Sequence, residues 1–119
     1  MSTARVDLLD REVALSRVGG DAELLREIAA IFVDDYPNAL AELREALQHN
    51  DANKLERAAH GLKGSVANFG APAAVDAALH LEKMGHDGDL STAPGILAAL
   101  DQALTSLRVE LESLCAEGA

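Results

Sequence analysis

The chain has 119 residues, of which 49% are hydrophobic but only 3% aromatic, a composition that suits one helical domain packed by Leu, Ala, Val and Ile. It carries 20 acidic and 10 basic side chains, a formal net charge of −10, which argues against nucleic acid or an anionic membrane as a partner because phosphate groups attract clustered Lys and Arg. The single cysteine permits no internal disulfide, and since neither a long apolar segment nor a signal-like N-terminus is present, we expect a soluble, cytoplasmic protein.

The first predicted elements are bounded by residues that cap and stop helices. Residues 1–9 are predicted to be loosely ordered. Asp10 can cap a short helix that runs to about Val18, where Gly19-Gly20 stops it. No strand precedes this glycine pair, so it is interpreted as a turn and not as a phosphate-binding loop.

A second helix follows, capped by Asp21. Its apolar face comprises Leu24, Leu25, Ile28, Ile31 and Phe32. Tyr36-Pro37 then interrupts the pattern, because the residue before proline is pushed out of helical geometry and proline suits a first helical turn. We therefore predict a separate third helix, with an apolar face made of Leu40, Leu43, Ala46 and Leu47.

The fourth and fifth helices are predicted to form an antiparallel hairpin. Asp51 caps the fourth helix, Gly70 ends it, and Pro72 begins the fifth within a few residues. The buried face of the fourth helix comprises Leu55, Ala58, Ala59, Leu62, Val66 and Phe69. The fifth helix is expected to end near Gly85 and to present to the core Val75, Ala78, Leu79 and Met84.

The last helix, capped by Ser91 or Thr92 and with Pro94 in its first turn, carries leucines at a regular three-four spacing. They are Leu97, Leu100, Leu104, Leu107, Leu111 and Leu114. Such spacing describes either a bundle seam or a coiled-coil dimer, and we favour the bundle because the other helices also need apolar partners. The predicted fold is all-α, an antiparallel four-helix bundle with additional short N-terminal helices, over residues 10–116 with a tail at 117–119.

The segment Ala58–Ala71 holds the most informative side chain, His60. At about 100° per residue its ring lies roughly 150° from the middle of the buried face and so points to solvent. Gly61 beside it and Gly64 one turn later have no side chain that could cover the ring. Each glycine inside a helix lowers the stability of the helix by about 0.5–1 kcal/mol relative to Ala. That cost is easier to explain if something large approaches this surface. Lys63 can bring an ammonium group beside whatever the ring carries.

The motif around this histidine resembles the phosphoacceptor motif of the histidine-containing phosphotransfer (HPt) domains of two-component phosphorelays. It consists of His60-Gly61-Leu62-Lys63-Gly64, then Asn68 and Gly70-Ala71. Further similar positions are Gly19-Gly20-Asp21, Leu24-Leu25, Phe32, Pro37 and Leu81-Glu82, so the resemblance covers nearly the whole chain. Two positions depart from the family pattern: Gly61 stands where a hydroxyl residue is common, and Ala74 where a larger apolar residue is usual.

The resemblance implies a phosphocarrier without ATP-dependent kinase activity of its own, and the chain contains no nucleotide-binding motif. A phosphoryl group would arrive at His60 from an aspartate of one receiver domain and leave to an aspartate of another. Lys63 would neutralise charge on the transferred group, and Glu82 would hold the imidazole nitrogen that does not react. No bound cofactor is expected, since Mg²⁺ would come from the receiver. The expected partners of this monomer are response-regulator receiver domains and a hybrid sensor histidine kinase.

The surface through which a partner would reach His60 is predicted to comprise Arg57, Gly61, Gly64 and Ala67. An apolar rim on the second and fourth predicted helices would assist docking, because small exposed apolar patches commonly do so.

Two other interpretations remain open. One is an adaptor that binds receiver domains without phosphorylation of His60. The other is a structural coiled coil or a metal-binding bundle, since carboxylate and imidazole lie four residues apart in Glu56/His60, Asp76/His80 and Glu82/His86. We attribute these spacings to ion pairing and chance, because bundle metal sites direct their ligands inward whereas His60 points outward.

Overall fold

The computed structural model describes residues 9–117 and contains, in that range, five helices and no strand. The helices are α1 (Arg11–Arg17), α2 (Ala22–Gln48), α3 (Ala52–Ala67), α4 (Pro72–Asp87) and α5 (Ala93–Ala116). The four long helices pack in a ring, each against the next and α5 against α2, through connections of three to five residues. Such short connections make neighbouring helices antiparallel. The predicted all-α bundle is confirmed, with one short helix at its N-terminal end.

The N-terminal helix closes one end of the bundle. The backbone N–H of Asp10 donates to the carbonyl of Phe69 at 2.8 Å, and Arg11 forms an ion pair with Glu117. The loosely ordered N-terminus predicted for residues 1–9 lies outside the described residues apart from its last position, as does the predicted tail apart from Glu117.

The predicted N-terminal caps of three helices are confirmed. The carboxylates of Asp10, Asp21 and Asp51 accept hydrogen bonds of 3.0–3.2 Å from backbone N–H groups in the first turns of α1, α2 and α3. A cap of this kind contributes about 1 kcal/mol. Thr92 occupies the cap position of α5, but its side chain makes no hydrogen bond to the first turn of the helix, and Pro94 lies in that turn as predicted.

The predicted break at Tyr36-Pro37 is wrong, because α2 continues through it. A proline inside a helix removes one backbone hydrogen bond and costs about 3 kcal/mol or more. The helix persists because its buried face extends on both sides of Pro37. Phe32, Tyr36 and Leu40 are each at most 6% exposed, and fully burying a large apolar side chain contributes about 1.5–3 kcal/mol. Tertiary packing therefore offsets the local cost.

The leucines of α5 all point into the bundle and form much of its core. Leu97, Leu100, Leu104, Leu107, Leu111 and Leu114 are buried. Because their surface is covered within one chain, the three-four spacing marks a bundle seam, the interpretation that we favoured. An aromatic cluster completes the core near α1, where the rings of Phe32 and Phe69 lie 5.3 Å apart.

The core-facing side of α4 differs from the prediction at one residue. Leu79 is 47% exposed, whereas Ala78 is fully buried and Val75 and Met84 are partly buried against the core. Small residues on the inward face let α4 approach its neighbours closely, which turns Leu79, about 100° further round the helix, outward. The helix ends at Asp87, two residues beyond the predicted end.

Candidate functional site

His60 lies on the outer surface of α3, as predicted from its helical position. Its side chain is 68% exposed, while Ala59 and Leu62 on the same helix are buried in the core. The imidazole is therefore fixed to a well-packed helix but open to an approaching molecule.

Glu82 of α4 connects the histidine to a lysine. Its Oε2 lies 2.7 Å from Nδ1 of His60, and its Oε1 accepts a hydrogen bond of 2.6 Å from Nζ of Lys63. Both carboxylate oxygens are used, so the side chain is held at two points. The structure brings together the three residues for which the sequence predicted chemical roles, from two different helices.

The charge on Glu82 determines the tautomer of the imidazole. The hydrogen bond from Lys63, and secondarily that with His60, lowers the pKa of the Glu82 carboxyl against the opposing effect of partial burial. An ionised carboxylate can only accept hydrogen bonds, so Nδ1 of His60 must carry the proton in this contact. In the neutral ring the free lone pair is then on Nε2. Nε2 is the nitrogen available to act as a nucleophile.

Glycine at position 85 allows the close contact between α3 and α4. A methyl group there would lie 2.6 Å from the backbone nitrogen of Glu56 and 2.7 Å from the carbonyl oxygen of Ala52. No ordinary side chain fits at that distance. The two helix backbones are therefore near enough for side chains on one to reach partners on the other.

A second pair crosses the same seam, where Nδ1 of His86 lies 3.2 Å from Oε2 of Glu56. The four-residue spacings Glu56/His60 and Glu82/His86 along single helices therefore do not correspond to contacts. Each carboxylate bonds instead to the histidine of the opposite helix, because α3 and α4 run antiparallel with their backbones in contact. Between residues 9 and 117, no three His, Cys, Asp or Glu side chains are grouped so that they could hold a metal ion.

The residues predicted to give access to His60 form an open surface on α3. Arg57, Gly61 and Gly64 are exposed and Ala67 is partly exposed. Methyl groups at Gly61 and Gly64 would meet nothing within 4 Å beyond their own helix. The absence of side chains at these two positions thus leaves the helix surface flat beside the imidazole.

Sequence reasoning missed the α2 residues that border this surface. A shallow hollow of about 400 Å³ lies between α2 and α3. It is lined on α2 by Phe32, Asp35, Tyr36, Asn38, Ala39 and Glu42, and on α3 by Arg57, Ala58, Gly61, Leu62 and Ser65. A smaller hollow continues toward Ile31, which is 61% exposed. Helical periodicity placed Ile31 on the apolar face of the second predicted helix. Periodicity alone therefore could not show that this side chain is exposed.

The sequence and structure of this chain were compared with those of known proteins. A family model described as Hpt domain matches residues 27–110. The chain belongs to the Hpt family. This Hpt domain is also similar in structure to histidine-containing phosphotransfer protein B (HptB) from Pseudomonas aeruginosa PAO1, with a TM-score of 0.85 and 27% sequence identity over 92% of this chain and 95% of that one. A search of curated proteins gives no match.

The resemblance stated from the sequence is thereby confirmed. As an Hpt domain the chain is a histidine phosphotransfer protein of a phosphorelay, a family of phosphocarriers whose partners are receiver domains and kinases. In the described part of this Hpt domain, no helix combines the length and apolar character needed to cross a bilayer.

Proposed function

We propose that this Hpt domain relays a phosphoryl group between receiver-domain aspartates through Nε2 of His60. The observation that supports the proposal most directly is the contact between Nδ1 of His60 and Glu82, because in the neutral form of this exposed ring the lone pair is then on Nε2.

The transfer step is a displacement at phosphorus. The Nε2 lone pair of His60 forms a nitrogen–phosphorus bond as the bond between phosphorus and the aspartyl oxygen of the receiver breaks, and the carboxylate leaves on the receiver. The Nδ1 proton stays in its hydrogen bond to Glu82, whose negative charge stabilises the positive charge that develops on the ring. Charge at the phosphoryl oxygens would be neutralised by Mg²⁺ bound to the receiver domain.

Lys63 also takes part in this mechanism. In the unphosphorylated protein its ammonium is held by Glu82 at 2.6 Å, one helical turn from His60. A phosphoryl group on Nε2 brings up to two negative charges to the same surface. We expect Lys63 to shift toward those oxygens, because they compete with Glu82 for the same cation.

The proposed carrier acts as a cytoplasmic monomer and turns over no ATP. It would receive its phosphoryl group from the receiver domain of a hybrid sensor histidine kinase and deliver it to that of a response regulator. Burial of the α5 leucines within the chain supports the monomer, since the apolar seam that a coiled-coil dimer would use is already covered.

The test follows intact mass after incubation with a small phosphoramidate or with a phosphorylated receiver domain. We expect wild-type protein to gain one acid-labile, alkali-stable phosphoryl group from the receiver, and His60→Gln to gain none. His86→Gln is the matched control, because His86 is also exposed and also bonded to a glutamate through Nδ1. Receiver binding without phosphorylation of the wild-type chain would contradict the carrier function and favour an adaptor.

A further inference from the structure

The hollow between α2 and α3 lies beside His60 on the same face of the bundle. Gly61 and Arg57, which flank His60 in the sequence of α3, line it directly. Its floor contains the apolar side chains of Phe32, Ala39 and Leu62. A docking molecule that presents an apolar strip to this floor would bring its own reactive group alongside the imidazole.

The two walls of the hollow carry opposite charge. Asp35 and Glu42 on α2 are exposed acids, and Arg57 on α3 is an exposed base. Within residues 9–117, none of the three forms an ion pair or a side-chain hydrogen bond. By contrast, acids elsewhere on the bundle bond to bases of the same chain, as Asp101 does to Arg44. The charges around the hollow are therefore available to a partner.

We propose that these walls select the receiver: the chain binds receiver domains whose docking face has an apolar centre, basic side chains opposite Asp35 and Glu42, and an acid opposite Arg57. This inference rests on the proposed phosphotransfer function and names the chemistry of the partner at that same site. A second copy of this chain fits less well, because two molecules of net charge −10 repel each other as they approach.

Charges at the rim of an interface act mainly on the rate of association and on its salt dependence. Reversal of one acidic wall residue, Glu42→Lys, is expected to slow association with such a receiver by roughly threefold to tenfold at low salt. The difference should shrink in 0.5 M salt, where the Debye length falls to about 4 Å. Glu112→Lys is the matched control, because it makes the same charge change on an exposed residue of α5, the helix diagonally opposite α3.

The experiment uses purified receiver domains that phosphorylate the wild-type chain, and measures phosphotransfer and association rates for both variants at low and high salt. We expect Glu42→Lys to be slow at low salt only, and Glu112→Lys to stay within twofold of wild type. Selection by charge would be overturned if Glu42→Lys and Glu112→Lys reacted at equal rates. It would also be overturned if Glu42→Lys were slowed to the same extent at low and at high salt. If no receiver phosphorylates the wild-type chain, the proposed phosphotransfer function itself is contradicted. That result is distinct from a failure of the selection by charge, which is measured only by comparing the variants with a wild-type chain that is phosphorylated.

Thermal unfolding of both variants accompanies the rate measurements, so that loss of folding is not mistaken for loss of docking. The reciprocal change provides the final check. A receiver in which the base opposite Glu42 is replaced by Glu should associate faster with Glu42→Lys than with the wild-type chain. Failure of every basic-to-acidic receiver substitution to restore the rate would also overturn the proposal.

Discussion

Replacement of Gly85 by alanine tests the close packing on which the site geometry depends. In most exposed helical positions Gly→Ala stabilises a protein by about 0.4–1 kcal/mol, because alanine restricts the unfolded chain. At position 85 the added methyl would lie 2.6 Å from the Glu56 nitrogen, whereas ordinary contacts begin near 3.4 Å. The α3 and α4 backbones must therefore separate locally by about 0.8 Å.

The size of the effect follows from this displacement. Overpacking of a well-packed interior costs about 1–3 kcal/mol, which exceeds the usual gain from alanine. A net loss of about 1–2 kcal/mol corresponds to a fall in Tm of roughly 4–8 °C for a domain of this length. The same separation would lengthen the contact between Nδ1 of His60 and Glu82 from 2.7 Å to about 3.5 Å, beyond hydrogen-bond range, unless the side chains adjust.

Thermal or urea unfolding of Gly85→Ala measures the stability change directly, and two further glycines provide matched controls. Gly61→Ala and Gly64→Ala place the same methyl group on a neighbouring helix, but in open space. We expect both to raise Tm by roughly 2–4 °C. A Gly85→Ala protein as stable as these two controls would refute the steric reasoning.

The site itself gives three further predictions. The pKa of Glu82 is lowered in the folded state, so the contacts of its carboxylate with His60 and Lys63 stabilise the protein. This stabilisation is complete above the ordinary glutamate pKa of about 4.3, and it is lost as the pH falls through the pKa of Glu82 in the folded protein. In urea titrations Glu82→Gln should therefore lose stability relative to wild type at pH 7, and the difference should narrow at pH 3. Lys63→Ala should slow phosphotransfer about tenfold or more while changing Tm by only a few degrees; a large Tm loss with an unchanged rate would indicate a purely structural lysine. Gly64→Gln should slow transfer from a receiver by covering the ring, and an unchanged single-turnover rate would contradict the requirement for a clear surface.

The features that could be predicted from the sequence are those set by local chemistry. The three helix caps are an example: Asp10, Asp21 and Asp51. The short carboxylate of an aspartate accepts hydrogen bonds from first-turn backbone N–H groups that have no partner within the helix, and this does not depend on how the helix packs in the fold. The outward position of His60 follows from helical periodicity on one strongly amphipathic helix. These properties depend on residues within a few positions of each other.

The errors arose where distant residues decide the outcome. Local geometry at Pro37 favours a break, but burial of aromatic and aliphatic side chains on both sides keeps α2 intact. The carboxylate partners of the two histidines depend on the register between α3 and α4, which the contact at Gly85 fixes and which no spacing within one helix reveals. The contact between Glu82 and His60 was expected only from the resemblance to a family, and the contact that Glu82 also makes with Lys63 is evident only from the structure.

The unbroken passage of α2 through Pro37 also affects how this protein can move. Proline donates no hydrogen bond to the carbonyl four residues earlier, so one rung is missing from the helix at that turn. Helices bend most readily at such points. Pro37 itself lies between Asp35 and Glu42, the two acids on the α2 wall of the hollow. A small change in curvature at this turn would therefore alter the spacing between these two charges.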